Sequence, residues 1–158
     1  MTSVNVLVVF YSRYGETEKL ALAAGVGGIQ ARGNIRVRRL PDLVPAERIE
    51  ADLLWRENLE RMKKDYIGPR EIDGQWADVL ILAAPPDCLA EMERYLDSAQ
   101  PALSGKLGAV VGPCAKAAAR VGITVVPPSE ADLVDPTGYG RRVTETARSK
   151  KASRSNAG

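Results

Sequence analysis

The residues best placed to do chemistry are Ser12, Arg13, Tyr14, Gly15, Glu16 and Thr17. They stand between an apolar run and the first turn of a helix, where unpaired backbone N–H groups and the positive end of the helix dipole meet. That combination binds anions, above all phosphate. The hydroxyls of Ser12 and Thr17 add donors, and Gly15 lets the backbone turn tightly beside a ligand. Glu16 opposes an anion if it points inward, so it is expected to face solvent. Thr17 also has a simpler role open to it, as a helix cap.

Other catalytic groups are few. The chain has no histidine, which removes Ser-His-Asp and Cys-His catalysis and any Cys/His zinc site. Its two cysteines, Cys88 and Cys114, are isolated and expected to be reduced thiols. Each begins a Cys-x5-Arg spacing, Cys88 to Arg94 and Cys114 to Arg120, which is that of the phosphatase loop. That loop needs glycine-permitted N–H groups aimed at the phosphoryl oxygens, and neither LAEME nor AKAAA provides them. The expected role of both cysteines is as small buried residues.

The elements that position these residues follow from hydrophobic periodicity. Val4 to Phe10 reads as a strand buried on both faces, as in parallel sheets. The helix from Thr17 places Leu20, Ala24 and Gly27 or Gly28 on one face and stops near Gly33. Ile35 to Leu40 alternates apolar residues with arginine, as an edge strand with solvated arginines does. Asp78 to Ala83, Leu107 to Val111 and Ile123 to Val126 are further strands, separated by helices at Leu89 to Ser98 and Cys114 to Arg120. Alternation at this spacing implies right-handed βαβ crossovers and an α/β fold. Ala46 to Tyr66 reads as one long amphipathic helix whose stripe of Trp55, Leu59, Met62 and Tyr66 packs on the sheet or serves homo-oligomer formation. Tyr139 to Ser149 closes the domain, placing it at residues 1–149, with 150–158 a polar, disordered tail.

Composition sets outer bounds. The 158 residues, with 45% hydrophobic and 27% charged, suit one globular domain. Net charge is only +2, so no field favours nucleic acid or an anionic membrane. No apolar stretch approaches a membrane span, and the expected location is cytoplasmic.

The segment VLVVFYSRYGETEKLA resembles the opening of the flavodoxin-like NAD(P)H:quinone oxidoreductases of the tryptophan repressor-binding protein type, and SRYGET matches their FMN-phosphate loop. The similarity continues through RVRRLPDLVP, ADVLILAAPP, MERYLD, SGKLGAVVG, GITVVP and GRRVTETA. It implies a three-layer sandwich around a five-stranded parallel sheet of order 2-1-3-4-5. It further implies FMN at the topological switch point, with Pro85 and Pro86 beside Ser12 and with Gly112 and Pro113 in the loop after the fourth strand. In that family NAD(P)H reduces FMN, which passes two electrons to a quinone. Tyr14 then flanks the flavin ring or the nicotinamide, or only covers the loop. The chain departs from the family where the ring lies. PPDCLAEMERYLD replaces a longer TRFG-like loop, GPCAKAAARVG is short and lacks a histidine expected near Val121, and PPSEADLVDPTGYG is trimmed. Two functions follow: a flavoprotein with a weakened ring site, or a non-catalytic member of the fold acting through an interaction surface. A receiver domain shares the strand order but needs acids where Tyr11 and Ser12 stand, and Asp87 alone cannot build its metal site.

Overall fold

A computed structural model describes residues 2–157, with side chains as far as Arg154. The strands β1 (Asn5–Phe10), β2 (Asn34–Arg39), β3 (Val79–Ala83), β4 (Leu107–Val111) and β5 (Thr124–Val125) form one parallel sheet of order β2-β1-β3-β4-β5. The register is continuous through the centre, with Val8 opposite Val37 on one side and Ile81 on the other.

Alternation along each strand divides the core in two. Val6, Val8, Phe10, Val79, Ile81 and Ala83 face α1 (Glu16–Gln30) and α8 (Thr137–Ala157). Leu7, Val9, Tyr11, Leu80 and Leu82 face α5 (Ala90–Ala99) and α6 (Ala115–Arg120). This is the expected three-layer sandwich, and β1 is almost wholly buried because both faces are covered. The edge strand β2 is correspondingly only half-buried over most of its length.

Its arginines are not simply solvated. Arg36 and Arg38 bond the buried Asp73 at 3.1 and 2.8 Å, and Arg36 lies over the Trp76 ring at 4.1 Å. Asp73 belongs to α4 (Glu71–Trp76), a helix not expected from the sequence, and also accepts the Arg70 N–H at 2.8 Å. Burial alone pushes its carboxyl up, but the Arg38 bond, the Arg70 N–H and Arg36 outweigh it and hold the group below the usual range. Because the folded pKa is depressed, the stabilisation is present above the unfolded value of about 3.9 and is lost as pH falls through the folded one. Urea midpoints for the native chain are therefore expected to fall between pH 6 and pH 3 by more than those of Asp73→Asn.

Residues 46–66 form two helices rather than one, α2 (Ala46–Glu50) and α3 (Leu53–Asp65). Ala51 ends the first and Asp52 caps the second, its side chain accepting the Trp55 N–H at 3.1 Å. Trp55 and Met62 are buried within the chain, while Leu53 and Leu54 are exposed. Tyr66 meets Phe10 edge-on at 5.0 Å.

On α1 the buried face is Thr17, Ala21, Ala24 and Gly28, and Leu20 is half-buried. The helix meets α8 backbone to backbone. A Cβ on Gly27 would lie 1.9 Å from the Thr137 carbonyl, and one on Gly140 1.8 Å from that of Ala24. α8 continues through Ala157, past the expected domain end at residue 149. Its extension is docked, since Arg148 donates to Thr2 O at 3.1 Å and Lys151 to Ser3 O at 2.9 Å and Asp78 at 3.0 Å. Gly158, the last residue of the expected tail, lies outside the described residues. A further short helix, α7 (Glu130–Val134), precedes α8. No helix among the described residues is long and apolar enough to cross a membrane.

Candidate anion site at the end of the first strand

The loop from Ser12 to Gly15 carries the chain from β1 into α1, and its turn is made by Gly15 at φ 99°. A glycine adopts this left-handed backbone freely, whereas a side chain there is strained. The turn lets Gly15 N–H reach back to Ser12 Oγ at 3.1 Å, and Ser12 is 1% exposed. The first intrahelical bond runs from Lys19 N to Gly15 O, so the N–H groups of Glu16, Thr17 and Glu18 precede any helical acceptor. One amide of the turn is thus held by Ser12, and those of the first helical turn remain directed past the strand end.

These residues line a cavity of about 280 Å³. Ser12, Arg13, Tyr14, Glu16 and Thr17 form one wall, and Pro85, Pro86, Asp87 and Cys88, after β3, form the other. The strand order brings the two loops together, because β1 and β3 are neighbours at the point where the sheet reverses direction of growth. Gly112 and Pro113 do not line this cavity. Gly112 instead packs against Ala84, where a Cβ would come within 2.0 Å of the carbonyl oxygen.

Arg13 supplies the positive charge. Its Nε donates to the Tyr11 hydroxyl at 2.9 Å, and its guanidinium lies over the Trp55 ring at 4.3 Å. Burial pulls the Arg13 pKa down, but Tyr11 more than offsets it, so the group stays cationic. Tyr11 in turn donates to Asp42 at 2.7 Å, with burial the main cause of a raised phenol pKa. Arg39 completes the support from beneath, donating to the Ser12 carbonyl at 3.0 Å and pairing with Asp42 at 3.2 Å. Its Nε and the Trp55 Nε1 are buried without hydrogen-bond partners among the described residues. Leaving such a donor unpaired costs about 1–3 kcal/mol.

Tyr14 is 44% exposed and stands at the cavity rim, its hydroxyl donating to Asp52 Oδ2 at 2.5 Å. The bond ties the loop to the start of α3 and holds the Asp52 carboxyl below its ordinary range. Below Gly15, Arg61 and Tyr66 bond Glu18 at 2.6 and 2.5 Å, so the first turn of α1 is fixed from both sides. The Arg61 bond is the main reason the Glu18 carboxyl sits below the usual range.

Two lining acids oppose an anion. Glu16 is exposed, as expected, and so is Asp87. Exposed charge pairs contribute about 0.2–1 kcal/mol, so Asp87→Asn is expected to tighten inorganic phosphate binding by about 1.4- to 5-fold, read from amide shifts in an NMR titration. Cys88 is not an activated nucleophile here. Burial is the main cause of its raised thiol pKa, with Asp87 adding to it, and Arg94 is exposed on α5. Cys114 is buried against Leu82 O and Val111 O and its pKa is pushed up to about 11 by that burial.

The ring end of an FMN-like ligand finds less enclosure. The loop after β3 enters α5 at Ala90, and the loop after β4 enters α6 at Ala115. The cavity falls just below the range of about 300–1,000 Å³ usual for small-molecule sites. The residues present therefore fit a phosphate more closely than they enclose a flavin ring.

Sequence reasoning found both loops but missed Asp42, Arg39 and Asp52, which orient them. The signal available for Asp52 was its position just before an amphipathic run, where aspartate is a favoured cap.

No family model matches the chain. It is 32% identical over 116 residues to the NAD(P)H dehydrogenase (quinone) of Paracoccus denitrificans, covering 67% of this chain and 52% of that protein. It is 31% identical over 116 residues to the protein of the same name from Archaeoglobus fulgidus, covering 66% and 59%. The chain thus spans about half the length of the curated relatives it matches. Among solved structures, a flavodoxin from the domain Archaea superimposes with a TM-score of 0.62 at 18% identity, covering 91% of this chain and 99% of that one. A diflavin flavoprotein of Nostoc sp. does so with a TM-score of 0.60 at 14% identity, covering 97% and 99%.

Proposed function

Taking as premise a chain with the flavodoxin fold and recognisable kinship to the NAD(P)H dehydrogenases (quinone), we propose that it binds FMN through the Ser12–Thr17 loop. The observation that carries this reading is the Gly15 turn, which gathers the buried Ser12 and Thr17 and the Arg13 charge around one cavity facing Pro85 and Pro86. In this reading the phosphate accepts from the N–H groups of Glu16 and Thr17 and from the hydroxyls of Ser12 and Thr17. Arg13 neutralises part of its charge. Tyr14, anchored by Asp52, flanks the sugar or ring.

We further propose that the bound flavin carries two electrons from NAD(P)H to a quinone. The names of the sequence relatives support this extension, and the side chains supply position rather than proton transfer. The test is oxidation of NADH or NADPH by protein reconstituted with FMN. Turnover should require both added quinone and protein, exceeding that of free FMN at the same concentration. A rate equal to free FMN refutes the catalytic part while leaving flavin binding to be judged by titration.

A further inference from the structure

Both arginines that serve the Ser12–Thr17 loop are held through one carboxylate distant in sequence. Asp42 lies beyond β2, 31 positions from Tyr11, and its side chain is 9% exposed. It accepts the Tyr11 hydroxyl proton at 2.7 Å and Arg39 Nη2 at 3.2 Å. Arg39 holds the Ser12 carbonyl, and Tyr11 accepts from Arg13 Nε at 2.9 Å.

The direction of these bonds matters. A phenol has one proton to donate and lone pairs with which to accept. Tyr11 spends its proton on Asp42, so what it presents to the loop is an acceptor, and the Arg13 Nε–H fills it. Tyr11 is fully buried, and burial is the main cause of its raised phenol pKa, so the hydroxyl keeps its proton. One face of the Arg13 guanidinium is covered by the Trp55 ring at 4.3 Å. With Nε taken and that face covered, the two Nη groups are what remains. They make no hydrogen bond or ion pair among the described residues, and Arg13 lines the cavity beside the loop. A pair of Nη groups is the fork that grips two oxygens of a phosphate at once.

We propose that Tyr11 and Asp42 are positioning residues of the anion site, which touch no ligand but aim the Arg13 guanidinium so that its Nη fork, rather than a freely turning charge, meets the phosphate. The inference deepens the phosphate-binding reading given above and rests on it. An aimed fork binds without the ordering cost that a mobile arginine brings. Because Asp42 also pairs with Arg39, the same carboxylate sets the backbone of the loop and its charge together.

The test is a double-mutant cycle on the full chain, with inorganic phosphate as the probe and amide shifts as the readout. Arg13→Gln is expected to weaken binding by at least about 10-fold, and Tyr11→Phe, which keeps the ring and removes only the hydroxyl, by at least about 5-fold. In the Arg13→Gln background, Tyr11→Phe should change affinity by less than about 2-fold, because nothing is left to aim. A hydroxyl that only supports the fold would weaken binding in both backgrounds. A second readout needs no Tyr11 variant to fold. The Arg13 Nε–H signal of the native chain, identified by its absence in Arg13→Gln, should exchange with water at least about 10-fold more slowly than those of exposed arginines. Additive losses in the cycle, native affinity in Tyr11→Phe, or an Arg13 Nε–H that exchanges as fast as exposed ones would each overturn the assignment while leaving phosphate binding in place. A native chain that binds no phosphate overturns both.

Discussion

Replacing Gly140 with alanine is expected to destabilise the chain by more than about 3 kcal/mol, because overpacking of this severity exceeds the usual cost of about 1–3 kcal/mol. The added Cβ would sit 1.8 Å from Ala24 O, and the obstacle is backbone in α1 rather than a movable side chain. Only separation of α1 from α8 relieves it, which exposes Ala21, Ala24, Tyr139 and Val143. At about 2–4 °C per kcal/mol for a domain of this size, the thermal midpoint should fall by roughly 10 °C, measured by circular dichroism. Gly138→Ala, in the same helix, is the internal control. Nothing lies within 4 Å of its Cβ, so it should be neutral or slightly stabilising. The same pairing positions the loop before α1, so in the reading proposed above it also bears on ligand binding.

Gly15→Val is the second large effect, and it should fall on the ligand rather than on the fold. Space is not the difficulty: a Cβ there would meet Arg61, Asn58 and Glu18 at 3.5 to 3.6 Å, ordinary contact distances. The backbone is. At φ 99° a β-branched residue is strained by about 1–3 kcal/mol, and relaxing that strain turns the Gly15 N–H away from Ser12 Oγ. FMN affinity is expected to fall by at least about 30-fold, or about 2 kcal/mol, as the loop loses its shape. Unfolding stability should fall by no more than the strain itself. Equal losses in both would mean that the turn serves only the fold.

The parts of this architecture that could be read from the sequence were those with short-range causes. Val6 to Phe10 has no polar face, which identifies a central parallel strand. The alternation of Ile35 and Val37 with arginines marks β2 as an edge. The turn at Ser12–Thr17 was legible because its shape depends on residue types at fixed offsets along the chain, with Gly15 at the position that needs a positive φ. The break at Asp52 was not, because Trp55, Leu59 and Met62 all belong to the second helix and Tyr66 caps its end, and residues 46–50 were swept into their period. Contacts distant in sequence were also hidden. Nothing local indicates that Arg36 and Arg38 would find Asp73, that Arg13 would stack on Trp55, or that Arg148 and Lys151 would dock a polar helix extension onto Thr2, Ser3 and Asp78. Each joins elements at least 35 positions apart, where only the folded topology supplies the encounter.

The account rests on an anion seat where β1 passes into α1, and a paired titration tests it most directly. Flavin fluorescence is followed as the purified chain is added to FMN and, separately, to riboflavin, which differs only in lacking the phosphate. The account predicts saturable quenching of FMN and binding of riboflavin at least about 100-fold weaker, equivalent to about 2.7 kcal/mol assigned to the phosphate. Equal affinity for the two flavins, or no affinity for FMN, would contradict it.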